Sequence, residues 1–130
     1  MIDIMSRSPI TLSKDDTLET ASKTMISRGI RRLPVAFDGV VLGILTAMEI
    51  LDFIASPKAF QQLKTGMAKD VLSSPVDMMM RRDFQAVTSG AEAGEAAALM
   101  KTSNTGVVPV VENGVLLGLV TERDFFKILR

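Results

Sequence analysis

Apolar and polar positions along this chain follow two rhythms, one helical and one alternating, and the rhythms recur in the same order twice. Between Thr17 and Arg28 the apolar positions Leu18, Ala21, Met25 and Ile26 predict a helix that turns all four to one face. Asp16 and Glu19 stand at the spacing of a capping box at its start, and Gly29 suits the left-handed residue that closes it. Ahead of this helix, Ile10-Thr11-Leu12 reads as a short strand. Behind it, two β-rich runs flank Asp38-Gly39, a strong local signal for a tight hairpin. A second helix is expected from about Ala47 to Ala55.

Shifting the sequence by 75 residues lays residues 5–55 on 80–130 without a gap, and 11 of the 51 pairs are identical. Seven of those identities fall in Pro34–Thr46 against Pro109–Thr121, too clustered for chance, so the chain is a duplication. In the second copy Gln85-Ala86-Val87 is the short strand, and Ala93, Ala96, Ala97 and Met100 form the helical stripe. Asn104 takes the place of Gly29, Asn113-Gly114 marks the hairpin, and a last helix runs from Glu122. Ser56-Pro57 and Gly66 punctuate a short helical stretch around Lys58–Lys64. The expected organisation is a first repeat over 1–58, a helical linker over 59–75 and a second repeat over 76–130. Each repeat reads strand–helix–strand–strand–helix, an α/β (α+β) unit, and a two-copy duplication predicts a pseudo-symmetric pair.

These stretches resemble the CBS-domain (cystathionine beta-synthase domain) family. The resemblance lies in Gly29-Ile30-Arg31-Arg32-Leu33-Pro34-Val35, Gly43-Ile44-Leu45-Thr46 and Gly118-Leu119-Val120-Thr121-Glu122-Arg123-Asp124. Asp3-Ile4-Met5 and Met78-Met79-Met80-Arg81-Arg82-Asp83 resemble the lead-in to each repeat. The resemblance covers nearly the whole chain. It implies two repeats packed sheet-to-sheet as a Bateman module that pairs into a homodimer and binds adenosyl ligands in the cleft between repeats.

Composition narrows the chemistry. Fifteen basic and fifteen acidic residues cancel, which removes a broad electrostatic drive toward nucleic acid or an anionic membrane. The chain has no cysteine and no histidine, so disulfides, thiolate nucleophiles, Cys/His zinc sites and imidazole acid–base steps are excluded. Glu92 and Glu95 have no partner that would make an acid–base pair, and no metal is expected. The chain is therefore read as a non-enzyme needing no cofactor. Met1–Arg7 lacks the apolar core of a signal peptide, and no stretch approaches the roughly 20 apolar residues of a membrane helix, so a cytoplasmic protein is expected.

The sharpest candidate site is Thr121-Glu122-Arg123-Asp124. A threonine between strand and helix can offer its hydroxyl and the first free N–H groups to a phosphate. Asp124, one turn in, presents two acceptor oxygens to the paired hydroxyls of a ribose. The resemblance assigns the matching Thr and Asp those jobs. The same spacing is also a helix-capping arrangement that needs no ligand. In the first copy Thr46 aligns with Thr121, but Glu49 stands for Asp124 and Met48 for Arg123, so a weaker site is expected there. Arg31 and Arg32 have no counterpart, because Gly106 and Val107 occupy those places. Their guanidinium forks suit phosphate, and the resemblance implies that role. Val87, Val107, Val108 and Pro109 are the expected walls of an adenine pocket, with backbone groups near Ala86 and Thr88 reading the base edge; all are also plausible core positions. The reading is a regulatory module that binds AMP, ADP, ATP or S-adenosylmethionine and signals to a partner protein. Its rival is a ligand-free interaction and dimerisation module.

Overall fold

The computed structural model describes residues 5–7, 9–103 and 105–128. Its elements are β1 (Ser6–Arg7), α1 (Leu18–Arg28), β2 (Arg32–Phe37), β3 (Val40–Thr46), α2 (Ala47–Ile54), α3 (Pro57–Lys64), α4 (Ala68–Leu72), a 3-10 turn (Val76–Met78), α5 (Ala93–Ser103), β4 (Val107–Glu112), β5 (Val115–Thr121) and α6 (Glu122–Ile128). They fall into two compact units. One holds Thr11–Phe37 and Leu42–Arg82; the other holds Met1–Ile10, Asp38–Val41 and Asp83–Arg130. The strand order is β1-β5-β3-β2, with β4 beside β5.

In the first unit, Leu18, Ala21 and Met25 of α1 pack with Leu12, Leu33, Val35 and Leu45 in one apolar core. Ile26, predicted on the same face, is 83% exposed. It lies about 100° beyond Met25 around the helix, which carries it off the stripe. The predicted Asp16–Glu19 capping box is also corrected. Thr17 is the N-cap, its side chain accepting from the Thr20 N–H at 3.3 Å, while Asp16 accepts from the Ser13 N–H at 2.8 Å. A cap contributes about 1 kcal/mol, and the threonine takes that role because its extended φ/ψ aims the hydroxyl along the helix. Gly29 closes α1 at φ 64°, as expected, and the Ile30 N–H reaches back to the Met25 carbonyl.

In the second unit, Val87, Ala91, Val108, Val110 and Val120 form the core, with Leu99 and Met100 of α5 against it. Ala96 is buried, but Ala97, placed on the stripe from sequence, is exposed for the same rotational reason as Ile26. Asn104, expected to close α5, lies outside the described residues. Both hairpins are formed, with Asp38 and Asn113 at φ 49° and 53°, each followed by a glycine at φ 82°. Positive φ at both central residues gives a turn whose twist matches the strands. The strands expected at 10–12 and 85–87 shrink to single parallel bridges, Leu12 to Val35 and Val87 to Val110.

The lead-in segments cross over. β1, ahead of the first repeat, pairs with β5 through Ser6–Leu119 and Arg7–Gly118. Arg81, ahead of the second repeat, bridges Ile44 in β3. Gly43 and Gly118 make room for these crossings: a Cβ on Gly118 would stand 2.6 Å from the Ser6 carbonyl oxygen, and one on Gly43 would stand 2.9 Å from that of Arg81. Of the methionine run, Met79 and Met80 are buried and Met78 is exposed. Among the described residues no helix is long and apolar enough to cross a membrane.

Candidate functional site

In the second unit, β5 delivers Thr121 to the start of α6, and the β4–β5 ladder sets Thr121 opposite Val107. Asp124 folds back over this junction. Its Oδ2 accepts from the Thr121 N–H at 2.8 Å and from the Thr121 hydroxyl at 3.4 Å. The Glu122 N–H donates to the Gly106 carbonyl at 3.4 Å. Two of the N–H groups that the sequence offered to a phosphate are thus taken by the chain. Asp124 is 4% exposed and is the one buried charged residue among those described. Its second oxygen, Oδ1, lies 3.8 Å from the Lys127 ammonium. A carboxylate held away from water is costly unless donors surround it. Here Oδ2 is taken by the Thr121 N–H and hydroxyl, and among the described residues Oδ1 meets only a long contact to an exposed lysine, so Oδ1 has acceptor capacity in reserve. Such a group suits hydroxyl donors; among the described residues no second carboxylate is bonded to it for proton transfer. Arg123 is exposed on the same turn.

The apolar surroundings are built by β4. Val107 and Pro109 are buried. The Val87 N–H donates to the Pro109 carbonyl at 3.0 Å, and the Val111 N–H to the Val87 carbonyl at 2.8 Å. These bonds lay residues 86–88 along β4, with Thr88 exposed just beyond. A groove of about 560 Å3 opens there, between Ala86, Val87 and Thr88 on one side and Glu95, Ala98, Leu99 and Thr102 of α5 on the other. The α5 wall escaped the sequence reading. Its signal is the four-residue set at i, i+3, i+4 and i+7, in which small Ala98 leaves the space. Thr121 and Asp124 do not line this groove.

In the first unit the same junction is built differently. Thr46 caps α2, accepting from the Glu49 N–H at 3.5 Å and donating its hydroxyl to Glu49 Oε2 at 2.6 Å. Glu49 Oε1 is buried with no hydrogen-bond partner among the described residues. The Arg31 carbonyl accepts from the Ala47 N–H at 2.9 Å, and Arg32 opens β2. Within their own unit, Arg31 and Arg32 therefore lie beside Thr46 and Glu49. Arg31 is exposed and Arg32 half-buried.

The chain is similar in sequence and fold to known proteins. The family model described as the CBS domain matches residues 2–56 and 68–130. Protein MJ1225 of Methanocaldococcus jannaschii is 31% identical over 126 residues, which is 96% of this chain and 45% of that protein. Its crystal structure, presented as that of a proposed archaeal homologue of g-AMPK, superposes with a TM-score of 0.93 at 28% identity over 99% of this chain and 47% of its own. This chain thus spans about half the length of that relative. A CBS domain-containing protein of Dictyostelium discoideum is 32% identical over 128 residues, 97% of this chain and 88% of its own length. The domain pair of protein MJ0100, crystallised with 5′-methylthioadenosine and S-adenosyl-L-methionine, has a TM-score of 0.76 at 23% identity, covering 99% of this chain and 98% of that one.

Proposed function

Because the chain belongs to the CBS-domain family and carries its domain twice, we propose that it is a regulatory module that binds an adenosyl ligand and catalyses nothing itself. The ligand is an adenine nucleotide (AMP, ADP or ATP) or S-adenosylmethionine. The observation that carries this reading is the buried Asp124 carboxylate, with Oδ2 fixed by Thr121 and Oδ1 left for a ligand's hydroxyls. Val107 stands next to Thr121 across the ladder, and Thr88 and Pro109 follow along the same apolar edge. The fold-level parallel is the MJ0100 pair with its two adenosyl compounds. The ligand chemistry assigned to this chain rests on its own Thr121 and Asp124.

In this reading Arg123 serves the phosphates of a nucleotide held at Asp124, and Arg31 and Arg32 by their chemistry suit phosphate beside Thr46 and Glu49 in their own unit. Thr46 and Glu49 form a weaker second site, because the longer glutamate carries its carboxylate to the Thr46 hydroxyl. Ligand binding shifts a conformational equilibrium that a partner protein reads, in a cytoplasmic homodimer.

Thermal denaturation with AMP, ADP, ATP and S-adenosylmethionine tests the proposal. A ligand at one hundred times its Kd stabilises the folded state by about 2.7 kcal/mol, which shifts the midpoint measurably. A flat response to all four at millimolar concentration refutes the proposal. That result would favour a ligand-free interaction module, a reading supported by the capping role that Asp124 already fills through the Thr121 N–H.

A further inference from the structure

Resting on the reading that a ligand's ribose lies against Asp124, we infer that Lys127 makes this site select anionic, phosphate-bearing adenosyl ligands over neutral or sulfonium ones. Lys127 follows Asp124 by one turn of α6, with its ammonium 3.8 Å from Oδ1. The lysine side chain is 63% exposed and the aspartate side chain 5%, so the cation stands on the solvent side of a buried anion. Thr121 holds Oδ2. Oδ1 is therefore the oxygen that a ribose hydroxyl takes, and Lys127 is the group displaced.

The displaced ammonium has three donors on a flexible four-carbon stem. An incoming phosphate replaces the carboxylate contact that it loses. A neutral nucleoside leaves it to water, and a sulfonium sets a second positive charge in the same place. The first copy has no cation at the matching helix position, its arginines Arg31 and Arg32 coming instead from the start of β2. Asp52 occupies the position of Lys127 and Met48 that of Arg123, and Glu49 Oε1 is buried with no hydrogen-bond partner among the described residues. The duplicated junctions thus differ at the oxygen that faces a ligand.

Calorimetric titration of the full chain with adenosine, AMP and S-adenosylmethionine tests this, using the unaltered protein, Lys127→Gln, Lys127→Arg and Asp124→Ala. Lys127 is exposed on a helix, and circular dichroism confirms that each variant is folded. Lys127→Gln should retain adenosine binding and lower the AMP-over-adenosine preference by roughly threefold to tenfold. S-adenosylmethionine should gain relative to AMP, and Lys127→Arg should keep the original order. A preference changed by less than about twofold in Lys127→Gln, or parallel loss of adenosine and AMP, overturns the role of Lys127. If Asp124→Ala abolishes binding in that case, the reading of Asp124 still stands. If the unaltered protein binds none of the three, or Asp124→Ala binds them all as well as it does, both fall together.

Discussion

Gly118 and Asp124 show how single positions carry different kinds of constraint. Gly118 needs no unusual backbone; it needs the space that β1 occupies, because an added Cβ would meet the Ser6 carbonyl at 2.6 Å and Met5 Sδ at 2.8 Å. Gly118→Ala is predicted to cost about 1–3 kcal/mol in urea denaturation, as overpacking against backbone does. Gly90→Ala, with nothing within 4 Å of the added carbon, should stay within about 0.5 kcal/mol. Similar losses at the two positions would contradict the crossing of β1. The pairing of Gly43 with Gly118 was visible as an identity between repeats, but its reason was not. Which strand lies over a glycine is a tertiary fact that local pattern does not contain. The Thr121–Asp124 contact was visible, because three-residue spacing at a strand–helix junction has few geometries. The Lys127 contact is not legible in the sequence, because a long, exposed lysine side chain can equally turn to water.

Elements were legible where their chemistry is local. Asp38-Gly39 and Asn113-Gly114 form hairpins because positive φ is demanded at both central positions and tolerated by those residues. The strands at Ile10–Leu12 and Gln85–Val87 were overread. Each makes a single bridge among the described residues, through Leu12 and Val87. Helix faces were read one residue too wide at Ile26 and Ala97, where apolar type alone does not decide burial. At the start of α1 two acceptors competed. The extended conformation of Thr17, at φ −92° and ψ 165°, decides for the threonine. Thr17→Ala should therefore destabilise the protein by about 1 kcal/mol, and Thr17→Ser should restore most of it in the same denaturation assay. An unchanged midpoint in Thr17→Ala would return the cap to Asp16.

On the scale of the whole molecule, a duplication keeps its backbone and lets its junctions diverge. The repeats share turn glycines, crossing lead-ins and the Thr that ends β3 and β5. They differ in the acid that follows: Asp124 is bound to backbone through Oδ2 and lies near a lysine, whereas Glu49 is tied to the Thr46 hydroxyl and the lysine is replaced in sequence by Asp52. A module with one strong site responds to one ligand, and its regulatory effect is bounded by that ligand's difference in affinity between two states. Isothermal titration of the most stabilising adenosyl ligand into Asp124→Ala and Glu49→Ala tests this asymmetry most directly. Asp124→Ala should weaken binding by about tenfold or more, or about 1.4 kcal/mol, and Glu49→Ala by less than about threefold. Equal losses in the two variants, or a loss only in Glu49→Ala, would contradict it.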